Sequence, residues 1–152
     1  MRILVQRSKF SSVTIDGKVN GQIDYGLTLL VGFTENDNEK IIDYMVDKVI
    51  NLRIFDDENG VMNKSLLDVS GSILSISQFT LYGDASKGRR PSYIKALRGE
   101  EATSLYDTFN NKLREKNINV QTGIFGADML VNIQNDGPVT ILLEKENKDE
   151  GK

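Results

Sequence analysis

The chain has 152 residues, a net charge of −3 at pH 7, and neither cysteine nor histidine. Without these two residue types the protein can form no disulfide, thiol nucleophile or Ser-His-Asp triad, and a metal site would have to be built from carboxylates. The length predicts one domain, placed at residues 1–145, and residues 146–152 are read as a charged, frayed tail.

The first half of the chain predicts strands followed by a helix. Apolar residues that alternate or run together predict strands at residues 1–7, 11–15, 18–23 and 27–33. The Asp16-Gly17 dipeptide predicts the hairpin turn between the second and third strands. Asn36 or Asp37 is expected to cap a helix, because apolar residues recur at helical spacing from position 41 to position 50.

The second half predicts a central strand, a second helix and two final strands. These are placed at residues 72–76, 100–116, 129–133 and 139–143. The segment 83–91 resembles a phosphate loop only superficially, because Gly88 is followed by two arginines rather than by lysine and serine or threonine. A nucleoside-triphosphate site is therefore rejected.

Polar side chains cluster where the central strand ends. Alternation would place Ser77 and Phe79 on one face and Gln78 and Thr80 on the other. A buried strand is expected to end in apolar residues, so this cluster indicates a site. The alternative is that these polar groups only satisfy neighbouring backbone.

A second unusual stretch, residues 135–140, separates the two final strands. It contains Gly137-Pro138, which could be an ordinary turn. Glycine lets another molecule approach the backbone, and proline fixes the main chain, so the pair could also present carbonyl oxygens as a stiff wall. The sequence leaves open whether the bond before Pro138 is cis or trans.

Positive charge is concentrated in one segment of an otherwise acidic chain. The cations are Lys87, Arg89, Arg90, Lys95 and Arg98. They form either a phosphate-sized patch or a solvated loop. No apolar run is long enough for a membrane span and no signal-peptide pattern is present, so a cytoplasmic protein is expected.

The two unusual stretches together resemble the signature pair of the D-aminoacyl-tRNA deacylases. Residues 5–7, 87–92 and 122–129 also resemble that family, in order, over nearly the whole chain. The resemblance implies an α+β homodimer with mixed strands, a barrel-like core and two main flanking helices. It also implies hydrolysis of the ester in D-aminoacyl-tRNA and glycyl-tRNA, with help from the tRNA 2′-hydroxyl. No cofactor or metal site is expected, and the sequence leaves open whether a divalent ion assists.

The resemblance also assigns roles to residues. Gln78, Phe79 and Thr80 would be catalytic, and the substrate would be bound by Ser77, Gln78, Phe79, Ala102, Phe125, Gly137 and Pro138. Gly137 and Pro138 would reach the site from the other subunit and select chirality, with Arg7 as a brace. Lys87, Arg89 and Arg90 would contact tRNA phosphates.

Three other functions stay open from the sequence. One is an esterase or amidase that uses Thr80 or Ser77 as nucleophile. Another is a non-enzymatic RNA-binding or nucleotide-binding module that stacks bases on Phe79. The last is a structural dimer whose motifs only pack.

Overall fold

One long strand, β1 (Arg2–Ile15), organises the fold in the computed structural model, which describes residues 1–147. The other strands are β2 (Lys18–Ile23), β3 (Gly26–Gly32), β4 (Phe55–Asp56), β5 (Met62–Lys64), β6 (Ser72–Ser77), β7 (Val120–Thr122) and β8 (Leu130–Glu144). The helices are α1 (Glu39–Asn51), α2 (Leu66–Val69) and α3 (Gly99–Glu115), and a 3₁₀ turn spans Phe79–Tyr82.

The sheet is mixed and curls on itself. β1 pairs antiparallel with β3 through its first half, with β2 through its second half, and with β8 along both halves. β3, β6 and β7 are parallel neighbours. The Asn20 side chain on β2 donates to the carbonyl oxygen of Thr122 on β7 at 2.7 Å, which nearly closes the sheet into a barrel. The predicted α+β fold with a barrel-like core is confirmed.

The two faces of the sheet carry separate cores. The larger core packs α1 and α3 on one face, with Ile42 and Phe109 both fully buried. The smaller core lies on the other face and includes Val13, Leu74 and Ile76. Lys112 of α3 ties the two helices together through Glu39 and Asp43 of α1, and hydrogen bonds to these carboxylates raise its pKa.

Three sequence expectations about the elements differ from the structure. Residues 1–7 and 11–15 belong to one strand, because Ser8 stays paired with Gly26 of β3 across the polar gap. The last two predicted strands are likewise one strand, β8, that passes through residues 134–138. Asn38 caps α1 and accepts from the Ile41 amide, whereas Asp37 accepts from the Thr34 amide at 2.8 Å.

The end of β6 also differs from the expected alternation. The strand ends at Ser77, and Phe79 begins the 3₁₀ turn. The short elements β4, β5, β7 and α2 were not predicted, because each has too few residues for a periodic pattern. Within residues 1–147 no helix combines the length and the apolar character needed to cross a membrane. Residues 148–152 of the predicted tail lie outside the described residues.

Candidate functional site

A cavity of about 690 Å³ opens where β6 gives way to the 3₁₀ turn. Three pieces of chain build its wall: the end of β6 with the turn, the start of α3, and the segment that leads into β8. The lining residues are Ile76, Ser77, Gln78, Phe79, Arg98, Gly99, Glu100, Thr103, Phe125, Gly126, Ala127, Asp128, Met129 and Val131.

The turn that forms one wall is fixed by backbone and by Arg2. The Gln78 amide makes the last sheet bond, to the carbonyl oxygen of Val31 at 2.7 Å. Arg2 then donates to the Leu81 carbonyl oxygen at 2.8 Å, and its guanidinium lies 4.4 Å from the centre of the Tyr82 ring. The chain therefore turns sharply enough to expose the first residues of the turn.

Among the signature residues, the structure separates Thr80 from the others. Ser77, Gln78 and Phe79 line the cavity, whereas Thr80 is exposed beside it and accepts a hydrogen bond from the Gln78 side chain. The amides of Phe79 and Thr80 open the turn and have no acceptor within residues 1–147. Two amide donors are thus left at the edge of the cavity.

The opposite wall is partly as predicted. Phe125 lines the cavity and packs against Tyr106, with ring centres 6.0 Å apart. The Tyr106 hydroxyl donates to the Ser75 carbonyl oxygen at 2.7 Å, and burial raises the pKa of this hydroxyl. Ala102, predicted as a wall, is 1% exposed in the core and does not line the cavity. Thr103, one position further along α3, takes that place.

The predicted basic patch is divided between two places. Arg98 lines the main cavity, with its guanidinium 4.2 Å from the centre of the Phe79 ring. Lys87, Arg90 and Lys95 instead line a separate cavity of about 250 Å³. Arg89 is exposed and lines neither.

The Gly-Pro segment, residues 135–138, is held by side chains on both sides. Arg7 donates through Nε to the Asp136 carbonyl oxygen and through Nη1 to the Ile54 carbonyl oxygen, each at 2.9 Å. Asn135 accepts from the Val139 amide at 2.8 Å. The Gly137–Pro138 bond is cis, and both residues are exposed.

Within one chain the Gly-Pro segment lies away from the cavity. Two strands, β1 and β3, lie between β8 and β6. The three interstrand spacings from β8 to β6 add up to about 14 Å. Neither Gly137 nor Pro138 lines the cavity. The structure thus brings together most of the signature pocket and leaves the second signature at a distance.

A row of apolar side chains crosses the sheet from the cavity to β8, the strand that carries the Gly-Pro segment. Leu142 of β8 pairs with Leu4 of β1, Leu4 with Leu30 of β3, and Leu30 with Ile76 of β6. Paired residues point to the same face, and this face is the one opposite α1 and α3. Leu142 is 55% exposed, and we call Leu4, Leu30 and Leu142 the leucine row.

Several cavity residues were missed by the sequence analysis. They are Ile76, Gly99, Glu100, Thr103, Gly126, Ala127, Asp128, Met129 and Val131, and the sequence analysis placed Arg98 only in the basic patch. Glu100 and Thr103 could have been found from their spacing, which sets them on one face at the start of α3. No group of three or more carboxylates within residues 1–147 is arranged to hold a metal ion.

Comparisons with known proteins give a consistent result. The family model of D-Tyr-tRNA(Tyr) deacylase matches residues 4–144. A Brevibacillus brevis protein named D-aminoacyl-tRNA deacylase is 58% identical over 144 residues, covering 95% of this chain and 99% of that protein. A Clostridium kluyveri protein of the same name is 59% identical over 146 residues, covering 96% and 98%.

Two solved structures are also similar. One, described as a c-Myc DNA Unwinding Element Binding Protein, has a TM-score of 0.91 and 40% identity, and the match covers 97% of this chain and 100% of that one. The other, described as a probable eukaryotic D-amino acid tRNA deacylase, has a TM-score of 0.79 and 17% identity, covering 93% and 97%. At that identity the second match shows the fold alone.

Proposed function

The chain belongs to the D-Tyr-tRNA(Tyr) deacylase family, and from this membership we infer how its cavity works. The protein is a hydrolase that cleaves the ester bond of D-aminoacyl-tRNA and releases the amino acid and the tRNA. We propose that the cavity receives the aminoacylated end, that glycyl-tRNA is also a substrate, and that the protein works in the cytoplasm.

The Gly-Pro segment is proposed to be the wall that excludes L-amino acids. A flexible apolar pocket discriminates by only about 1–3 kcal/mol per methylene, so strong selection needs a group that cannot move aside. Arg7 is 7% exposed and holds the Asp136 carbonyl oxygen of this segment, and Asn135, its first residue, accepts from the Val139 amide just beyond it. The observation that supports the proposal is this bracing of an otherwise exposed main chain.

A homodimer is proposed to bring this wall to the cavity. The leucine row has the cavity at one end and, at the other, Leu142 of β8, the strand that also carries the Gly-Pro segment. A twofold axis through the row exchanges its two ends, so the Gly-Pro segment of one copy would lie over the cavity of its partner. The exposure of Leu142, an apolar side chain on this face, supports a covering partner there.

The proposed chemistry needs no strong nucleophile. An aminoacyl ester is already labile, and positioning alone can supply roughly 7–11 kcal/mol of the barrier. The free amides of Phe79 and Thr80 would stabilise the developing oxyanion, at about 3–4 kcal/mol for each donor. The ribose 2′-hydroxyl beside the ester would handle the proton, in keeping with a chain that has no histidine.

A panel of three esters on one tRNA tests the proposed function. D-tyrosyl-tRNA and glycyl-tRNA should both be hydrolysed, and D-tyrosyl-tRNA should exceed L-tyrosyl-tRNA by at least about 1,000-fold in kcat/KM. That ratio exceeds the 10–200-fold range that a methylene-sized difference gives. Equal hydrolysis of the D and L esters would rule out the wall.

Replacing Thr80 by valine should keep much of the activity. The Thr80 hydroxyl accepts from Gln78 and has no histidine or free amine to activate it. We expect kcat for D-tyrosyl-tRNA to fall by less than about tenfold, since one exposed hydrogen bond is lost. Loss of activity in a folded variant, together with an acyl-enzyme trapped in the wild type by mass spectrometry, would make Thr80 the nucleophile.

A second candidate function is binding of nucleic acid without catalysis. The half-exposed Phe79 ring and the Lys87, Arg90 and Lys95 side chains could stack bases and contact phosphates, and one similar structure is described as a DNA-binding protein. Lys87, Arg89 and Arg90 are equally proposed as tRNA phosphate contacts of the deacylase. Tight RNA binding with no hydrolysis of any D ester would favour the binding module.

A further inference from the structure

Among residues 1–147, Arg98 is the only cation that lines the main cavity. It immediately precedes α3, and two carboxylates, Glu100 and Asp128, line the same cavity. Within residues 1–147 no carboxylate forms an ion pair with Arg98, and no acceptor takes a hydrogen bond from its guanidinium. Its donors therefore face solvent at the mouth of the cavity.

Two aromatic rings hold the guanidinium in place. Its central carbon lies 4.2 Å from the centre of the Phe79 ring and 5.5 Å from that of the Tyr93 ring. The two rings meet edge to face, 5.3 Å apart. A guanidinium that stacks on a ring keeps its N–H donors at its edge, in the fork that matches two oxygens of a phosphate.

We propose that Arg98 binds the phosphodiester that joins the terminal adenosine to the preceding nucleotide of the tRNA. This inference rests on the proposed function, which places the ester beside the amides of Phe79 and Thr80. The phosphate is linked to the ester-bearing ribose only through C4′, C5′ and O5′, so it must lie close to the ester. Arg98 stacks on Phe79, whereas Lys87, Arg90 and Lys95 line a different cavity.

The test compares two minimal substrates that differ in one phosphate. These are 3′-O-(D-tyrosyl)adenosine and the same ester carrying a 5′-monophosphate. Replacement of Arg98 by glutamine should lower kcat/KM about 10- to 100-fold for the phosphorylated ester and less than about threefold for the unphosphorylated one. Arg98→Lys should fall between wild type and Arg98→Gln on the phosphorylated ester, because lysine keeps the charge and loses the planar fork.

The control variant is Arg53→Gln. Arg53 is an exposed arginine that donates to the Asn63 carbonyl oxygen at 3.0 Å, away from both cavities. Arg53→Gln should leave kcat/KM unchanged for both esters, and circular dichroism should show that all variants are folded. An equal decrease for both esters would mean that Arg98 acts by packing on Phe79, and no decrease for the phosphorylated ester would leave it without a role. Either result overturns the proposal.

A binding measurement separates this proposal from the proposed function. Isothermal titration calorimetry should show that wild type binds adenosine 5′-monophosphate more tightly than adenosine. Arg98→Gln should remove this difference in affinity. If wild type hydrolyses none of the D esters yet shows this phosphate preference, the proposed function fails and the Arg98 site stands. If hydrolysis is observed and the preference does not depend on Arg98, only the Arg98 site fails.

Discussion

Replacing Leu142 by glutamate should convert the protein into a folded monomer that no longer hydrolyses D-tyrosyl-tRNA. Leu142 is 55% exposed at the β8 end of the leucine row, so the isolated chain can carry a carboxylate there. In the proposed dimer the same carboxylate would be buried against apolar side chains, which costs several kcal/mol. We expect the dissociation constant to rise by on the order of a thousandfold.

Analytical ultracentrifugation and deacylation should be measured on the same samples. Val19→Glu is the matched control, since Val19 is 59% exposed on β2 and lies outside the leucine row. It should leave both mass and activity unchanged. A monomeric Leu142→Glu variant with full activity would show that one chain makes a complete site, and an unchanged dimer would place the interface elsewhere.

Replacing Gly137 by alanine should lower hydrolysis of D-tyrosyl-tRNA by about 100-fold, because a main-chain shift of about 1 Å can cost that much. Gly137 has φ +133°, which L side chains rarely adopt. An added Cβ would lie 2.8 Å from Val139 Cγ2 and 3.0 Å from Arg7 Nη2. The carbonyls proposed to face the substrate must therefore move, and the D-to-L ratio of kcat/KM should fall with them.

The control for this variant is Gly60→Ala. Gly60 also has a positive φ, +73°, but nothing lies within 4 Å of an added Cβ. It should lose a little stability through backbone strain and keep its D-to-L ratio. An unchanged ratio in a folded Gly137→Ala dimer would contradict the assignment of residues 137 and 138 as the wall.

Periodicity predicted the regular parts of the fold well. The helical stripe from Ile41 to Ile50 is fully realised in α1, and the apolar run at 27–33 became β3. These patterns are local, so the sequence carries them directly. The gap at residues 8–10 led to a predicted break between two strands. The break is absent because Ser8 is fully buried in β1, with its hydroxyl donating to the Thr28 hydroxyl at 2.9 Å.

Only part of the candidate site could be predicted from the sequence. Ser77, Gln78 and Phe79 follow one another in the chain, so a local motif located them. Arg98 and Asp128 reach the same cavity through the curl of the sheet and the start of α3, which no local pattern encodes. The strand pattern predicted for residues 77–80 stops at Ser77, and the 3₁₀ turn begins at Phe79. Arg2, near the N-terminus, stabilises this turn by donating to the Leu81 carbonyl oxygen, a contact that no local pattern encodes.

Mixing two defective variants tests most directly whether one subunit filters the substrate of its partner. Gly137→Ala keeps the cavity and Phe79→Ala keeps the Gly-Pro segment, so each variant alone should hydrolyse D-tyrosyl-tRNA far more slowly than wild type. After subunits exchange in an equal mixture, activity should return to about a quarter of wild type, because half of the dimers are hybrids and each hybrid has one intact site. Confirmed hybrid dimers without any recovered D-tyrosyl-tRNA hydrolysis would contradict a wall supplied across the interface.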